Sequence, residues 1–171
     1  SYLEDAKALY SFNIKNMPDA ERVEEPPLSY TQGTFAEAAR VLFHITGEQS
    51  YMDKAAQVLL YGLESNRTTS GGLLRSEGEN MDQSIFKAVF IPYAVNYVLD
   101  ADADMNSAGR IKDKLLKNAE ALYKHIDRTY YPSMFCNYWW GETVPQGTRV
   151  SMGAQASGAS LMENVARMVK K

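Results

Sequence analysis

Aromatic rings, amides and carboxylates are concentrated in three stretches of this 171-residue chain. Together these groups suit a polyhydroxylated ligand, because the C–H faces of a sugar lie on aromatic rings while its hydroxyl groups bond amides and carboxylates. Each stretch leads into a strongly apolar segment, so we expect the groups to line the mouth of a buried structure. The candidate sugar-contacting residues are Tyr30, Gln32, Glu77, Asp82, Gln83, Lys87, Trp139, Trp140 and Gln155.

Some of these candidates also have simpler interpretations. Asp82 fits a helix cap as well as a sugar contact, because acidic side chains at helix starts accept free backbone N–H groups. Lys87 lies within an apolar run, and pairing with Asp82 or Glu79 is a simpler role for it than chemistry. The two tryptophans fit either a hydrophobic cover over the core or a platform for sugar rings, and one tryptophan could serve each purpose.

Carboxylates in the loops raise the question of glycosidase chemistry, which requires two carboxyl groups flanking the scissile bond. Glu77, Glu79 and Glu142 could supply such a pair, but nothing in the sequence fixes their separation. We therefore assign no catalytic residue to this chain.

No metal site and no cofactor are expected. His44 and His125 lie far apart in the sequence and offer neither a metal site nor a nucleophilic triad. Residues 100–104 resemble the start of a calcium-binding loop, but Met105 stands where such a loop needs glycine and Ile111 where it needs glutamate. We interpret both histidines as structural and the acidic residues as a solvated turn.

The composition is that of an ordinary globular protein. Hydrophobic residues make up 45% of the chain and the net charge is −3, so there is no electrostatic case for binding nucleic acid or anionic membranes. The single Cys136 excludes an internal disulfide framework and a cysteine-based zinc site. Neither a signal peptide nor a membrane-spanning run is recognisable, and membrane insertion is not expected.

The apolar pattern indicates helices, and the central one lies within residues 77–97. There an acidic lead-in is followed by a run that is apolar on nearly every side, so the helix must be surrounded by other elements. Asp82 and Gln83 fall in its first turn, where free N–H groups and the positive end of the helix dipole favour acceptors and anions.

One-sided and fully apolar helices alternate along the whole chain. Amphipathic helices are predicted around Leu3–Tyr10, after a cap at Ser50, and over residues 108–126; buried ones are predicted over 35–45, in 77–97 and from Met152. An up-down array whose alternate helices are buried forms two layers. The predicted fold class is therefore all-α, three helical hairpins making half of an (α/α)6 toroid. No strand is predicted; the one extended candidate, residues 134–140, lies in a loop.

The alternation also predicts where the loops lie. Residues 26–33, 73–81 and 132–152 each lead into a buried helix, so all three should lie at the same end of the assembly. These loops hold five of the nine candidate sugar-contacting residues, and Asp82, Gln83 and Gln155 follow within three residues of a loop end.

Four motifs occur in an order found in a known family. The first is the run from Ser29 to Phe35 followed by Thr46 and Gly47; the second is Asp82 and Gln83 with the later Phe-Lys-Ala of residues 86–88. The third is the tryptophan pair and the fourth is residues 155–159. They resemble the Tyr-Asn-Gln-Gly…Thr-Gly, Asp-x-x-x-Phe-Lys-Gly, tryptophan-loop and Gln-x-Ser segments of glycoside hydrolase family 76, the α-1,6-mannanase-like enzymes. The resemblance covers nearly the whole chain.

The sequence departs from that family at several points. Thr31 stands in place of asparagine, Ala88 in place of glycine, and Pro92 where an arginine is common. The family's catalytic centre is a pair of adjacent aspartates in the N-terminal half of its (α/α)6 barrel, and no two aspartates are adjacent here. The resemblance thus implies the C-terminal half of such a barrel, with residues 1–171 as a single partial domain.

The same resemblance implies a function for the parent protein. It would be a retaining endo-α-1,6-mannanase acting outside the cytoplasm (secreted, periplasmic or at the surface) on an α-mannan-like oligo- or polysaccharide, with one aspartate as nucleophile and its neighbour as acid/base. This chain would supply one wall of the cleft and be inactive alone. The alternatives are a non-catalytic sugar-binding or helical interaction module on the same scaffold, and another α/α-toroid enzyme such as an unsaturated glucuronyl hydrolase.

Half of a toroid should expose apolar flanks on its first and last hairpins. We expect either self-association or a missing N-terminal half to cover them. The predicted flank residues are Leu3, Leu9, Tyr10, Leu161, Met162, Val165 and Met168.

Overall fold

The computed structural model of the chain describes residues 1–16 and 25–170, and most of these residues are helical. The helices are α1 (Tyr2–Asn16), α2 (Ser29–Thr46), α3 (Gln49–Glu64), α4 (Met81–Leu99), α5 (Met105–His125) and α6 (Met152–Val169). A short antiparallel hairpin between α3 and α4 pairs β1 (Thr69–Ser70) with β2 (Leu73–Leu74). The sequence also predicts that Pro18 and the Glu-Glu-Pro-Pro run of residues 24–27 end the first helix; Pro18 and Glu24 lie outside the described residues.

Helix α4 is the centre of the fold, as its apolar sequence predicts. Its N-cap is Asn80, whose side chain accepts a hydrogen bond from the Gln83 N–H, and Phe90, Ile91 and Val95 are fully buried. Asp82 is therefore not the cap. Among the described residues, no helix combines the length and the apolar character that crossing a bilayer would require.

Helices α2 and α6 lie on either side of α4 and run parallel to it; these three are the inner helices. Gly33 of α2 packs directly on the α4 backbone, because a Cβ at this position would lie 2.7 Å from the Phe90 Cα. On the other side, Ser157 Oγ donates to the Ser84 carbonyl at 2.7 Å, and Ser160 Oγ donates to a carbonyl one turn further along α4 at 3.1 Å. Small residues thus allow three backbones to approach closely.

The remaining helices form a second layer. Leu59 of α3 and Ile111 and Leu115 of α5 are buried in the core. Helix α1 is the third helix of this layer. It packs on the inner helix α2, where the Tyr10 ring stacks on Phe35 with 4.6 Å between ring centroids. The predicted alternation of outer and inner helices is confirmed.

Several predicted boundaries are wrong. Helix α2 begins at Ser29 rather than at Phe35, because the Glu77 carboxylate accepts the free Ser29 N–H and so stabilises two earlier turns. Helix α3 begins at Gln49, which places Ser50 inside it instead of at its cap. The β-hairpin was not predicted at all. Its turn uses two glycines with positive φ, and the Leu74 N–H bonds Asn118 Oδ1 of α5.

The predicted flank residues are also partly wrong. Leu161, Val165 and Met168 belong to the core, as does Tyr10, whereas Met162 is 37% exposed and Leu9 is 66% exposed. The error is one of helical phase, because residues one position apart on a helix point about 100° apart. The exposed large apolar side chains of α6 are Met162, as predicted, together with Met152 and Val169.

Candidate functional site

The N-terminal ends of the inner helices lie together at one end of the molecule, which we call the mouth. The Tyr30 ring of α2 contacts the Phe86 ring of α4, with 4.4 Å between centroids. Ser84 Oγ of α4 shares a hydrogen bond of 2.6 Å with Ser151 Oγ, the N-cap of α6. The three loops that carry the candidate residues therefore converge, as the alternation of apolar patterns predicted.

Glu77 caps helix α2 from the loop that precedes α4. One carboxylate oxygen accepts the Ser29 N–H at 2.6 Å and the other accepts the Ser29 hydroxyl. A negative charge at this position also interacts favourably with the positive end of the α2 dipole. Glu77 thus holds the β2–α4 loop against the start of α2, and both of its oxygens have partners within the chain.

Lys87 lies behind the mouth and is only 3% exposed. Its Nζ donates to the Tyr138 carbonyl at 2.6 Å and lies 4.0 Å from the centroid of the Trp140 ring, a cation–π contact. Burial lowers the pKa of Lys87 to about 8, and attraction to the Glu77 carboxylate opposes part of that effect. The lysine therefore anchors the α5–α6 loop to α4, and its ammonium group is shielded from a ligand in the solvent.

The lowered pKa of Lys87 predicts a pH effect on stability. Between about pH 8 and pH 10.5 the unfolded chain holds a proton on this lysine that the native chain has lost, so raising the pH through this window stabilises the native state, by up to about 3 kcal/mol. We expect the free energy of unfolding to rise across this window relative to that of Lys87→Met. Titration of groups common to both proteins cancels in the difference, apart from Cys136, which interacts with Lys87.

Denaturant unfolding at a series of pH values would measure this difference. Lys112→Met is the matched control, because it makes the same substitution at an exposed lysine on α5. A constant gap between the parent protein and Lys87→Met across the window would contradict the prediction.

The α5–α6 loop is fixed to the inner helices by two further residues. The Gln155 side chain accepts from the Cys136 N–H and donates to the Cys136 carbonyl, both at 3.0 Å, which reproduces the pairing of a β-strand. The Tyr138 hydroxyl accepts the Ser151 N–H at 2.9 Å. Trp140 is 1% exposed and plugs the core beneath the loop. These bonds could not be predicted from the sequence, since they join residues that are distant in it.

The candidate residues therefore fall into two groups. Asp82 and Gln83 are exposed at the mouth, and Tyr30 and Trp139 are partly exposed. The Trp139 ring lies against Gly141 and Gly71. The other candidates are buried or bonded within the chain; they are Gln32, Glu77, Lys87, Trp140 and Gln155.

Exposed apolar side chains at the mouth were not among the candidates. Met81 is 53% exposed, Ile85 39% and Met152 72%, and all three lie in the first turns of α4 or α6. Residue type did not identify them, because large apolar side chains in helices are usually buried.

A polar cluster occupies the opposite end of the inner helices. His44 Nε2 and Arg40 Nη1 both bond Asp100 Oδ2, at 2.6 and 2.7 Å, and Asp102 lies on the other side of the imidazole. Although burial opposes ionisation, hydrogen bonds from His44 and Arg40 hold the pKa of Asp100 below its usual value. The histidine and two aspartates could ligate a metal, but the guanidinium already neutralises the best-placed carboxylate. We interpret the cluster as an ion-pair network.

The profile of glycosyl hydrolase family 76 matches residues 2–171. The chain belongs to glycosyl hydrolase family 76. No match was found among curated protein sequences.

Solved structures agree with this membership. The α-1,6-mannanase of Salegentibacter sp. HEL1_6 is 26% identical, with a TM-score of 0.84 over 97% of this chain and 52% of that one. An inactive variant of the same enzyme, with two adjacent aspartates replaced and α-1,6-mannotetrose bound, is 28% identical, with a TM-score of 0.82 and the same coverage. The Lin0763 protein of Listeria innocua shares the fold at 21% identity, with a TM-score of 0.81 over 99% of this chain and 49% of that one.

This chain therefore spans about half the length of these family 76 structures. The six helices of the described residues are half of an (α/α)6 toroid, as the sequence predicted. The scaffold is that of a carbohydrate-degrading glycosidase.

Proposed function

We propose that this chain forms one wall of the sugar-binding cleft of an α-1,6-mannanase-like glycoside hydrolase. The observation that supports the proposal is the convergence of three parallel helix N-termini at the end of the molecule that carries the exposed Asp82 and Gln83, the partly exposed Tyr30 and the apolar Met81 and Met152. Hydrogen-bonding groups beside apolar surface suit the two faces of a sugar ring. That the related mannanase was solved with a bound α-1,6-mannotetrose supports this substrate class.

The buried candidates have a positioning role in this proposal. Glu77 fixes the start of α2, while Lys87, Trp140 and Gln155 hold the α5–α6 loop in place. Tyr30, Asp82, Gln83 and Trp139 are the residues that contact sugar. The catalytic carboxyl groups come from the other half of the ring, which also covers the exposed flanks of α2 and α6. On the family resemblance, the protein acts outside the cytoplasm.

Calorimetric titration of α-1,6-mannotetrose into the protein that carries this chain tests the proposal. Replacing Asp82 or Gln83 with alanine should weaken binding about 10-fold each, since a hydrogen bond to a charged or amide group contributes on the order of 1.4 kcal/mol. Asp113→Ala is the control, because Asp113 is an exposed carboxylate on the outer helix α5 and its loss should leave affinity unchanged. Unaltered binding by both mouth variants would show that this face is not part of the sugar-binding cleft.

One observation favours a second candidate, a non-catalytic sugar-binding module. No two aspartates are adjacent in these residues, whereas the inactive mannanase variants carry replacements at two adjacent aspartates. The module would give the same binding results without turnover, so hydrolysis by the protein that carries this chain separates the two candidates.

A further inference from the structure

The side chain of Gln32 is buried without a hydrogen-bond partner. The residue is 7% exposed, and within the described part of the chain neither its Nε2 nor its Oε1 is bonded. Leaving a buried polar group unsatisfied costs about 1–3 kcal/mol, and native proteins rarely do so at both ends of one amide. An additional partner for this amide is therefore required.

A small cavity lies beside the Gln32 amide. Its volume is about 10 Å³, close to the minimum that one water molecule needs. Gly62 of α3 helps to create this space, because a Cβ there would lie 2.5 Å from Gln32 Oε1 and 3.0 Å from the Phe90 ring. Besides Gln32, the polar residues that line the cavity are Ser29, Thr68, Arg75, Glu77 and Lys87.

The lining residues have hydrogen-bonding capacity to spare. Lys87 carries three ammonium protons and directs one at the Tyr138 carbonyl. The Glu77 carboxylate has about four acceptor positions and uses two of them on Ser29. A ligand in the cavity could therefore both donate to Glu77 and accept from Lys87 while also bonding the amide.

Charge limits what that ligand can be. A cation would face the Lys87 ammonium and the Arg75 guanidinium, and an anion would face the Glu77 carboxylate, with no room for a compensating ion. A neutral molecule of about the size of water that both donates and accepts hydrogen bonds is compatible with the whole lining.

We propose that this cavity is a binding site for a single internal water molecule, which bridges the Gln32 amide of α2 to Glu77 and Lys87. The water completes the junction between α2, the β2–α4 loop and α4 directly behind the mouth. Gln32 thus acts through this water as a positioning residue for Glu77 and Lys87. The proposal does not depend on the identity of the sugar.

A crystal structure of the protein at a resolution that shows ordered water tests the proposal directly. We expect a density peak within hydrogen-bonding distance of Gln32 Oε1 or Nε2 and of a Glu77 or Lys87 atom. An empty cavity, or a Gln32 side chain bonded directly to other protein groups, would overturn the proposal.

The thermal stability of Gln32→Met is a second test, because the change in Tm should have opposite signs with and without the bound water. If the amide had no partner, methionine would remove an unsatisfied group and raise Tm. With the water present, methionine instead takes away one of its partners, so Tm should fall by about 2–6 °C. Gln57→Met, at an exposed position on α3, is the matched control and should change Tm little. A rise in Tm, or no change, would contradict the water site. A fall in Tm without the density peak in the crystal structure would also contradict it. If the variant does not fold, the electron density of the parent protein decides.

Discussion

The 171-residue chain alone should release no sugar from α-1,6-mannan. Glycoside hydrolysis of this kind needs two carboxyl groups on either side of the bond, and the related mannanase is inactive in variants with two adjacent aspartates replaced. This chain has no adjacent aspartates. Asp82, Glu79 and Glu142 are exposed carboxylates in or beside the mouth loops, but none of them belongs to an adjacent aspartate pair, and Glu77 is bonded to the start of α2.

Reducing-end assays on α-1,6-mannan would measure this result. A longer form of the protein that contains both this chain and an adjacent aspartate pair should be active, and the chain alone should be slower by roughly 10⁴-fold or more, the scale of effect seen when catalytic groups are removed. Turnover by the chain alone that disappears in Asp82→Asn or Glu77→Gln would show that its own carboxyl groups perform the chemistry. The proposed division of roles between the two halves would then be wrong.

The layered fold could be predicted from the sequence because every strongly apolar helix has to be covered by other helices. A helix with Phe90, Ile91 and Val95 on different sides has to be enclosed, and α4 is enclosed by α2, α6 and the outer layer. The start of α2 was not accessible in the same way. Residues 31–34, Thr-Gln-Gly-Thr, favour a turn by local propensity, whereas their helical state is supported by distant residues, the Glu77 carboxylate at Ser29 and the α4 backbone against Gly33.

The candidate site, like the fold, was predictable from the sequence only in part. Position at a helix N-terminus predicted which residues gather at the mouth, and Asp82 and Gln83 are exposed there. Residue type could not predict the directions in which side chains point. Lys87 turns beneath the α5–α6 loop towards the Tyr138 carbonyl, and Gln155 pairs with the backbone of Cys136. The hydrogen-bonding groups of both side chains are satisfied by tertiary contacts within the protein and are therefore not available to a ligand.

Unless the other half of the ring is present, we expect this chain to self-associate in dilute solution. The groove between α1 and α2 exposes Leu9, Val41 and Ile45 at 66%, 42% and 58%, and α6 exposes Met162 and Val169 along its length. In a closed toroid these flanks are the surfaces that neighbouring hairpins cover. Their burial in a second copy would contribute about 1.5–3 kcal/mol for each aliphatic side chain removed from water.

Sedimentation of the chain over a range of concentrations would show the association. Replacing Val41 and Ile45 together with glutamate should weaken it by a factor of roughly 10² to 10⁴, because two buried aliphatic groups are lost. Met105→Glu is the matched control, since Met105 is an 89% exposed apolar side chain on the outer helix α5 and does not line the groove between α1 and α2. A stable monomer that unfolds cooperatively, with or without these changes, would mean that the six helices form a sufficient core of their own. The two flanks would then be ordinary protein surface, and the proposal that another half-ring covers them would have to be abandoned.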